Sequence, residues 1–201
     1  MIVVGVTGGS GSGKTQISNM LAKKGGFAVD ADALYHGMLN TCAEMISEIT
    51  EAFPEVNDGK GGVVRKKLSE IVFSDNSKLL LLNKITHKYI RNRLDEIVLQ
   101  CKNENVEMLI IDAPTLFESG ADKLCDFTVG VVAPEEERVK RIQNRDGIDK
   151  KRAIARIKSQ PKDDFYYDKC DCTVDSGEST AVALADEIYQ IIMKGMTTGN
   201  E

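Results

Sequence analysis

Short apolar runs alternate with longer segments of helical period along this chain. Each run is rich in β-branched residues and too short for a helix, so it predicts a buried strand. The predicted strands lie at residues 2–6, 27–29, 108–111, 127–132 and 172–174. The predicted helices span about 14–24, 135–160 and 179–194. Strands that alternate with helices indicate an α/β fold with a parallel sheet between two layers of helices.

The segment between the second and third predicted strands, residues 33–105, has a helical pattern of its own. Apolar residues recur there at roughly helical spacing, at Ile71, Leu79, Leu82, Ile85, Ile90, Leu94 and Ile97. Three glycines break the pattern near its middle, at Gly59, Gly61 and Gly62. We therefore expect one domain with helices inserted into an α/β frame.

Composition and charge narrow the possible partners. The 201 residues contain no Trp, only 5% aromatic residues and a net charge of -5, which disfavours nucleic acid as a partner. Residues 138–162 nevertheless carry ten Lys and Arg against two Asp, so this segment is +8 and the rest is -13. A basic patch on an acidic protein indicates a small anionic ligand. A solvated basic face is the alternative.

Cysteine usage and hydropathy bear on where the protein acts. Five cysteines, with no C-x-x-C pair, predict free thiols in a reducing compartment. No apolar run approaches the roughly 20 residues that span a bilayer, and no leader pattern is present. We expect a cytoplasmic protein that does not bind membranes.

The most specific motif is a phosphate-binding loop. Residues 8–15 read Gly-Gly-Ser-Gly-Ser-Gly-Lys-Thr and fit G-x-x-x-x-G-K-[ST], after a predicted strand and before a predicted helix. Backbone N–H groups of such a loop cradle phosphates, its Lys reaches the β- and γ-phosphates and its Thr ligates Mg²⁺. ATP and Mg²⁺ are thus the predicted cofactors. The predicted nucleotide-binding residues are Gly8, Gly11, Ser12, Gly13, Lys14, Thr15 and Gln16.

The loop alone leaves kinases, ATPases and GTPases open. A guanine-reading Asn-Lys-x-Asp strand end is absent, since the nearest match, at Asn83, lies in the helical segment and lacks the acid. Asp30 and Asp32 follow the second predicted strand and Asp112 follows the third, so all three should face the phosphates. One of them could orient an attacking hydroxyl, and Asp112 could hold the metal through water. Helix caps or solvated strand ends are the alternatives.

Arginines of the basic segment share helix faces in pairs. Arg141 and Arg145 are four residues apart, as are Arg152 and Arg156. Guanidinium groups suit the charge that spreads over a transferring phosphoryl group. Their role is therefore either transition-state stabilisation or solvation of a helix surface.

Several motifs together resemble the dephospho-coenzyme A kinase family over nearly the whole chain. They are Val6-Thr7-Gly8-Gly9, Asp30-Ala31-Asp32, Asp58-Gly59 with Arg65, Leu68 and Val72-Phe73, Leu82-Asn83-Lys84-Ile85-Thr86-His87 with Ile90-Arg91, Ile111-Asp112-Ala113-Pro114 with Leu116-Phe117-Glu118, Arg141 with Arg145-Asp146-Gly147, and Arg156-Ile157 with Gln160. The acid pair joined to the His87 and Leu116-Phe117-Glu118 motifs is more specific than the phosphate loop.

The resemblance implies a reaction, a fold and residue roles. The reaction is ATP-dependent phosphorylation of the ribose 3′-hydroxyl of dephospho-coenzyme A, which gives coenzyme A. The fold is of the P-loop NTPase type, with a core at about 1–32, 106–145 and 169–195, a helical acceptor-binding insertion at about 33–105 and a helical lid at about 146–168. Catalytic roles fall on Lys14, Asp32, Arg141 and Arg145. Substrate-binding roles fall on Thr7, Asp32, His87, Arg91, Leu116 and Glu118.

Two positions depart from the family pattern. Lys88 stands where a Pro usually follows the histidine, and Asp175 stands where Asn is usual near the adenine. Another small P-loop kinase, acting on a nucleoside, nucleotide or small alcohol, is the alternative enzyme. A regulatory module that uses ATP as a switch is the alternative of another class. We expect a monomer or weak homo-oligomer.

Overall fold

A computed structural model of the protein describes residues 1–198. Within that range, five strands form one parallel sheet in the order β2-β3-β1-β4-β5. The strands are β1 (Ile2–Thr7), β2 (Gly26–Asp30), β3 (Met108–Asp112), β4 (Phe127–Val132) and β5 (Cys172–Asp175). The predicted α/β class with a parallel sheet is confirmed.

Helices cover both faces of the sheet because its central strands are apolar on both sides. All residues of β1 and β3 are buried. On one face their side chains pack against α1 (Lys14–Ala22) and α9 (Ala181–Thr198). On the other face they pack against the second half of α5 (Asn76–Asn103). The sheet is therefore the middle of three layers.

Residues 31–103 hold four helices and a core of their own. They are α2 (Ala31–Thr41), α3 (Ala43–Ala52), α4 (Arg65–Ser74) and α5. A separate apolar cluster joins them, with Met45, Ile49 and Leu68 among its buried members. The first half of α5 packs in this cluster and its second half packs under the sheet. One long helix thus fixes the inserted helices to the α/β frame.

The basic segment folds into helices beside the phosphate loop. They are α6 (Glu135–Asp146), α7 (Lys150–Lys158) and α8 (Asp163–Lys169). Gly147 ends α6 with a positive φ of 66°, and the Asp149 side chain caps α7. The predicted basic helical pair is confirmed, and α8 lies within the stretch where the family resemblance implied a helical lid, although the sequence pattern did not predict it as a separate helix.

Element boundaries differ from the sequence prediction at several places. Strand β2 ends at Asp30, whose carboxylate accepts hydrogen bonds from the N–H groups of Asp32 and Ala33 and so caps α2. The expectation that Asp32 stands at the end of the strand was wrong, because this cap starts α2 at Ala31, two residues before the predicted helical segment, and places Asp32 in its first turn. Helix α1 ends at Ala22, two residues before the predicted end.

None of the helices within residues 1–198 combines the length and the hydropathy that crossing a bilayer requires.

We predict that Leu94, which α5 buries under the sheet, contributes strongly to the free energy of unfolding. Leu94 is fully buried, whereas Leu80 on the same helix is 61% exposed. Leu94→Ala should lower the free energy of unfolding by about 2–5 kcal/mol, because it leaves a cavity. Leu80→Ala is the matched control and should change it by less than about 0.5 kcal/mol. Urea denaturation measures both, and equal effects would contradict the assignment of this core.

Candidate active site

The phosphate-binding loop joins β1 to α1 and lies against α6. Positive φ angles at Gly11 and Gly13, of 79° and 90°, turn the backbone before α1 begins at Lys14. A side chain at Gly11 would come within 2.7 Å of the Arg138 carbonyl. No side chain caps the first turn of α1, and while the Gln16 N–H donates to the Gly13 carbonyl, the N–H groups of Lys14 and Thr15 are available to an anion. The sequence motif therefore has the backbone geometry of an anion site.

A cleft of about 480 Å³ opens above this loop. Its lining residues are Gly9, Gly11, Gly13, Lys14, Thr15, Gln16, Arg141, Asn144 and Arg145. Two predicted nucleotide-binding residues of the loop, Gly8 and Ser12, do not line the cleft. Gly8 packs against β4, where a side chain would meet the Val131 carbonyl at 2.3 Å, and Ser12 is buried. These two residues shape the loop, whereas the others face the cleft.

Asp112, at the end of β3, is a buried carboxylate beside Lys14. Its side chain is 4% exposed, and the Lys14 Nζ lies 3.7 Å from Oδ1. Burial raises the pKa of Asp112, while the charge of Lys14 and the Thr15 hydroxyl lower it. Among the described residues, neither carboxylate oxygen meets a hydrogen-bond donor at bonding geometry. An acceptor pair left open beside Thr15 suits a hydrated cation.

Asp32 lies between the phosphate loop and a second cavity. Its side chain projects from the first turn of α2 and lines that cavity. Desolvation raises the pKa of the Asp32 carboxyl, and the charges of Lys14 and Arg145 act in the opposite direction. The field of two cations that line the nucleotide cleft thus reaches this carboxylate. Asp32 thus lines the second cavity within electrostatic reach of the nucleotide cleft.

The second cavity has a volume of about 340 Å³ and lies among the inserted helices. Apolar side chains form most of its wall, among them Leu39, Leu68, Val72, Leu82 and Ile90. Its polar lining residues include Asp32, His36, Arg65, Asn83, Thr86 and His87. Such a wall, apolar with a few polar groups at fixed places, is typical of a small-molecule site.

His87 lines this cavity as the motif led us to expect. Burial lowers the pKa of its imidazole, and a hydrogen bond to the Glu118 backbone opposes that shift. The ring is therefore neutral near pH 7 and can donate or accept a hydrogen bond.

The other predicted substrate-binding residues do not line either cavity with their side chains. Leu116 is fully buried beside β1, and the Thr7 hydroxyl donates to the Pro114 carbonyl at 3.2 Å. Arg91 donates from Nη1 to the Gly120 carbonyl at 2.6 Å and so holds the loop after β3. Glu118 belongs to that loop, and its backbone contacts His87. These four residues support the cavity wall from behind.

Arg141 and Arg145 differ in what they contact. Arg141 donates to the Gly11 carbonyl at 3.1 Å, to the Ser176 Oγ at 2.8 Å and to the Ser176 carbonyl at 2.7 Å. Arg145 holds its neighbour Asp146 through Nε and Nη2, at 2.7 and 3.0 Å. Arg156 also binds Asp146, and these arginines lower the pKa of Asp146 to about 2. Both predicted catalytic arginines still line the cleft.

Sequence reasoning missed three residues that hold the phosphate loop. Arg138 is 5% exposed and contacts Ser10, Gln160 contacts Ser10 as well, and the Ser176 hydroxyl donates to the Ser12 carbonyl at 2.5 Å. Arg138 shares a helix face with Arg141 and Arg145 by its spacing of three and seven residues, which was an available signal. Gln160 belongs to a motif of the family resemblance, but neither it nor Ser176 was given a role, because their contacts join distant parts of the chain.

The arrangement combines a phosphate loop and two arginines at one cavity with a carboxylate that lines the other. Within residues 1–198, no cluster of three or more His, Cys, Asp and Glu side chains could hold a metal by itself. Mg²⁺ that binds with nucleotides usually takes one or two protein ligands together with phosphate oxygens and waters. The geometry suits transfer of a phosphoryl group from a nucleotide in one cavity to an acceptor in the other.

Comparison with known proteins agrees with this chemistry. The family model described as dephospho-CoA kinase matches residues 2–181. The chain is similar to "Dephospho-CoA kinase" of Corynebacterium diphtheriae, with 32% identity over 94% of this chain and 96% of the relative. A Dehalococcoides mccartyi protein of the same name is 37% identical over 81% of this chain and 82% of its own length.

A solved structure has the same architecture. The dephospho-CoA kinase from Campylobacter jejuni superposes with a TM-score of 0.68 and 26% identity, covering 96% of this chain and 98% of its own. Similarity extends over the sheet, the inserted helices and the basic helices together, since nearly the whole of both chains is matched. This protein therefore belongs to the dephospho-CoA kinase family.

Proposed function

We propose that this enzyme transfers the γ-phosphoryl group of ATP to the ribose 3′-hydroxyl of dephospho-coenzyme A, which gives coenzyme A and ADP in the last step of coenzyme A synthesis. The observation that carries the proposal is Asp32, a carboxylate that lines the second cavity within electrostatic reach of Lys14 and Arg145, in a chain of this family. The acceptor oxygen forms a bond to the γ-phosphorus, the bond from that phosphorus to the bridging oxygen of ADP breaks, and the hydroxyl proton passes to Asp32.

The proposed roles of the other residues follow from what they line. Lys14 balances charge on the β- and γ-phosphates, and Arg141 and Arg145 stabilise charge on the transferring group. His87 contacts the acceptor directly. Thr7, Arg91, Leu116 and Glu118 shape the acceptor cavity through the loops and strands that they hold.

Mg²⁺ fits the residues beside the first turn of α1. Thr15, which lines the cleft, would ligate it directly and Asp112 would hold its waters, since both carboxylate oxygens are buried without a donor in the described part of the chain. When bound, the ion would neutralise charge on the phosphates.

We also propose the functional division of the chain and its setting. The core spans about 1–32, 106–145 and 169–195, the acceptor-binding insertion about 33–105 and the lid about 146–168. A separate apolar cluster within the insertion supports its division from the core. The protein acts as a monomer or weak homo-oligomer in the cytoplasm, without nucleic acid or membrane partners. The five free cysteines are consistent with a reducing compartment.

An acceptor panel tests the proposed function. Purified enzyme with ATP and Mg²⁺ should form ADP with dephospho-coenzyme A at a kcat/KM at least about 10²-fold above that with adenosine, AMP or a small alcohol, because the cavity fits one acceptor. Mass spectrometry of the product would show one added phosphoryl group on the ribose. Preference for another acceptor would indicate a different small-molecule kinase, and ATP binding without transfer to any acceptor would indicate a regulatory module.

Asp32→Asn should abolish most transfer while it preserves ATP binding. Loss of a general base typically costs about 10²- to 10⁴-fold in turnover. Asp30→Asn is the matched control two residues away, because asparagine also caps a helix and Asp30 caps α2 without lining either cavity. Equal losses for both variants, or a fall in ATP affinity that matches the loss of activity, would move the base elsewhere.

The pH profile gives a second measurement on Asp32. The carboxyl must be ionised to accept a proton, and its pKa is raised above the ordinary value of 3.8. The kcat/KM of the natural enzyme should therefore fall as the pH drops through this raised pKa. The kcat/KM of Asp32→Asn should not show this fall at low pH. A raised pKa also means that the charged form opposes folding above it, so Asp32→Asn should not lower the melting temperature.

Arg145→Lys should lower turnover more than it weakens ATP binding. Lysine keeps the charge but loses the planar fork, whose bonds to the transferring group strengthen toward the transition state. We expect a loss of about 10-fold or more in kcat. Arg152→Lys is the matched control, since Arg152 is on the basic segment with a side chain 76% exposed. Equal tolerance at both positions would show that Arg145 is ordinary surface.

A further inference from the structure

Ser10, at the outer tip of the phosphate loop, has all of its polar groups bound by side chains from the basic helices. Its N–H donates to the Gln160 Oε1 at 2.8 Å, and its hydroxyl accepts from the Gln160 Nε2 at 3.0 Å. Its carbonyl accepts from the Arg138 Nε at 3.0 Å. Ser10 does not line the nucleotide cleft. This end of the loop is therefore held by protein contacts. The remaining loop residues are the ones that can bind phosphates.

Arg138 completes this cluster from beneath the loop. It is 5% exposed, its Nη2 donates to the Gln160 Oε1 at 3.1 Å, and its Nη1 lies 3.7 Å from the Asp163 carboxylate. A side chain at Gly9 would come within 2.2 Å of Nη2, so glycine there allows the guanidinium to lie against the loop. We name the cluster of Ser10, Arg138 and Gln160 the loop brace.

Gln160 connects the loop to the end of the basic helices. It follows α7, and its N–H donates to the Ile157 carbonyl at 3.1 Å, which fixes its backbone at the end of that helix. Asp163, the partner of Arg138, begins α8. The brace thus joins the tip of the phosphate loop to the α7–α8 connection.

An amide is the side chain that this position requires. The Ser10 N–H needs an acceptor and the Ser10 hydroxyl accepts a donor, and glutamine offers one of each in fixed geometry. Methionine has a similar shape but supplies neither group at useful strength. A carboxylate would satisfy the N–H but would add negative charge beside a bound polyphosphate.

We propose that Gln160 is a positioning residue for nucleotide binding: through Ser10 it holds the phosphate loop in its anion-binding form before the nucleotide arrives. A loop that is already ordered loses less conformational freedom on binding, so the phosphates are bound more tightly. The proposal rests on the proposed function in that a nucleotide occupies the loop. It goes beyond it by assigning a role to a side chain that lies outside the nucleotide cleft.

Gln160→Met tests the brace through the affinity for ADP, measured by titration calorimetry with Mg²⁺. We expect a Kd about 10-fold higher, the order that the loss of well-placed hydrogen bonds gives. Gln143→Met is the control for the same chemical change, at a glutamine of α6 that does not line the cleft. The KM for dephospho-coenzyme A should stay within about twofold, because the acceptor cavity does not contact the brace.

A double-mutant cycle separates positioning from a general loss of stability. Ser10→Ala removes one of the two bonds to Gln160 and should weaken ADP binding by itself, but it should add nothing in a Gln160→Met background. Gln160→Glu retains the acceptor for the Ser10 N–H and Arg138 and should keep its nucleotide-free melting temperature close to that of the natural protein. Its added charge should still raise the Kd for ADP.

Several outcomes would overturn the proposal. One is an ADP affinity of Gln160→Met equal to that of Gln143→Met, and another is additive effects in the cycle. A third is a nucleotide-free melting temperature that falls in Gln160→Met while the Kd for ADP stays unchanged, which would make Gln160 a structural residue. ADP binding is measured without an acceptor, so a failure to phosphorylate dephospho-coenzyme A would count against the proposed function and leave this test intact.

Discussion

The structure depends on keeping an anion site open at the end of β1. The first N–H groups of α1 must stay free of protein partners, and yet the loop that carries them must not collapse. Surrounding elements meet this requirement by binding the outer side of the loop: Arg141 holds the Gly11 carbonyl, Ser176 holds the Ser12 carbonyl, and the brace holds Ser10. The donors that face the cleft are left for phosphate oxygens, whose charge is favoured at a helix N-terminus.

The parallel sheet brings the acidic residues to the same edge as this anion site. In the register of β2 and β3, Asp30 lies opposite Asp112, and β1 leads into the loop beside them. The surroundings of each carboxylate determine what it contacts. Asp30 caps α2, Asp112 is buried beside Lys14, and Asp32 projects toward the acceptor cavity. The three aspartates lie close together in sequence or in strand register, and yet each has a different environment.

Local signals in the sequence predicted the strands, the phosphate loop and the inserted helices, because period, glycine spacing and motif context are properties of neighbouring residues. Asp32 was predicted at the end of β2 but lies in the first turn of α2, since the Asp30 cap starts this helix earlier than the hydrophobic pattern shows. The contacts of Gln160 with Ser10 were out of reach because they join residues 150 positions apart. The roles proposed for individual site residues remain predictions.

The net charge of +8 for residues 138–162 already counts the two aspartates within the segment. Carboxylates just outside it lower this charge by two at most, since Glu137 pairs with Lys140 and Asp163 lies near Arg138. Net charge alone does not say which of the remaining cations faces an anionic ligand. Arg141 is one of them, because its hydrogen bonds go to neutral oxygens of the loop and of Ser176, so its charge is held at the cleft and is available to a phosphate.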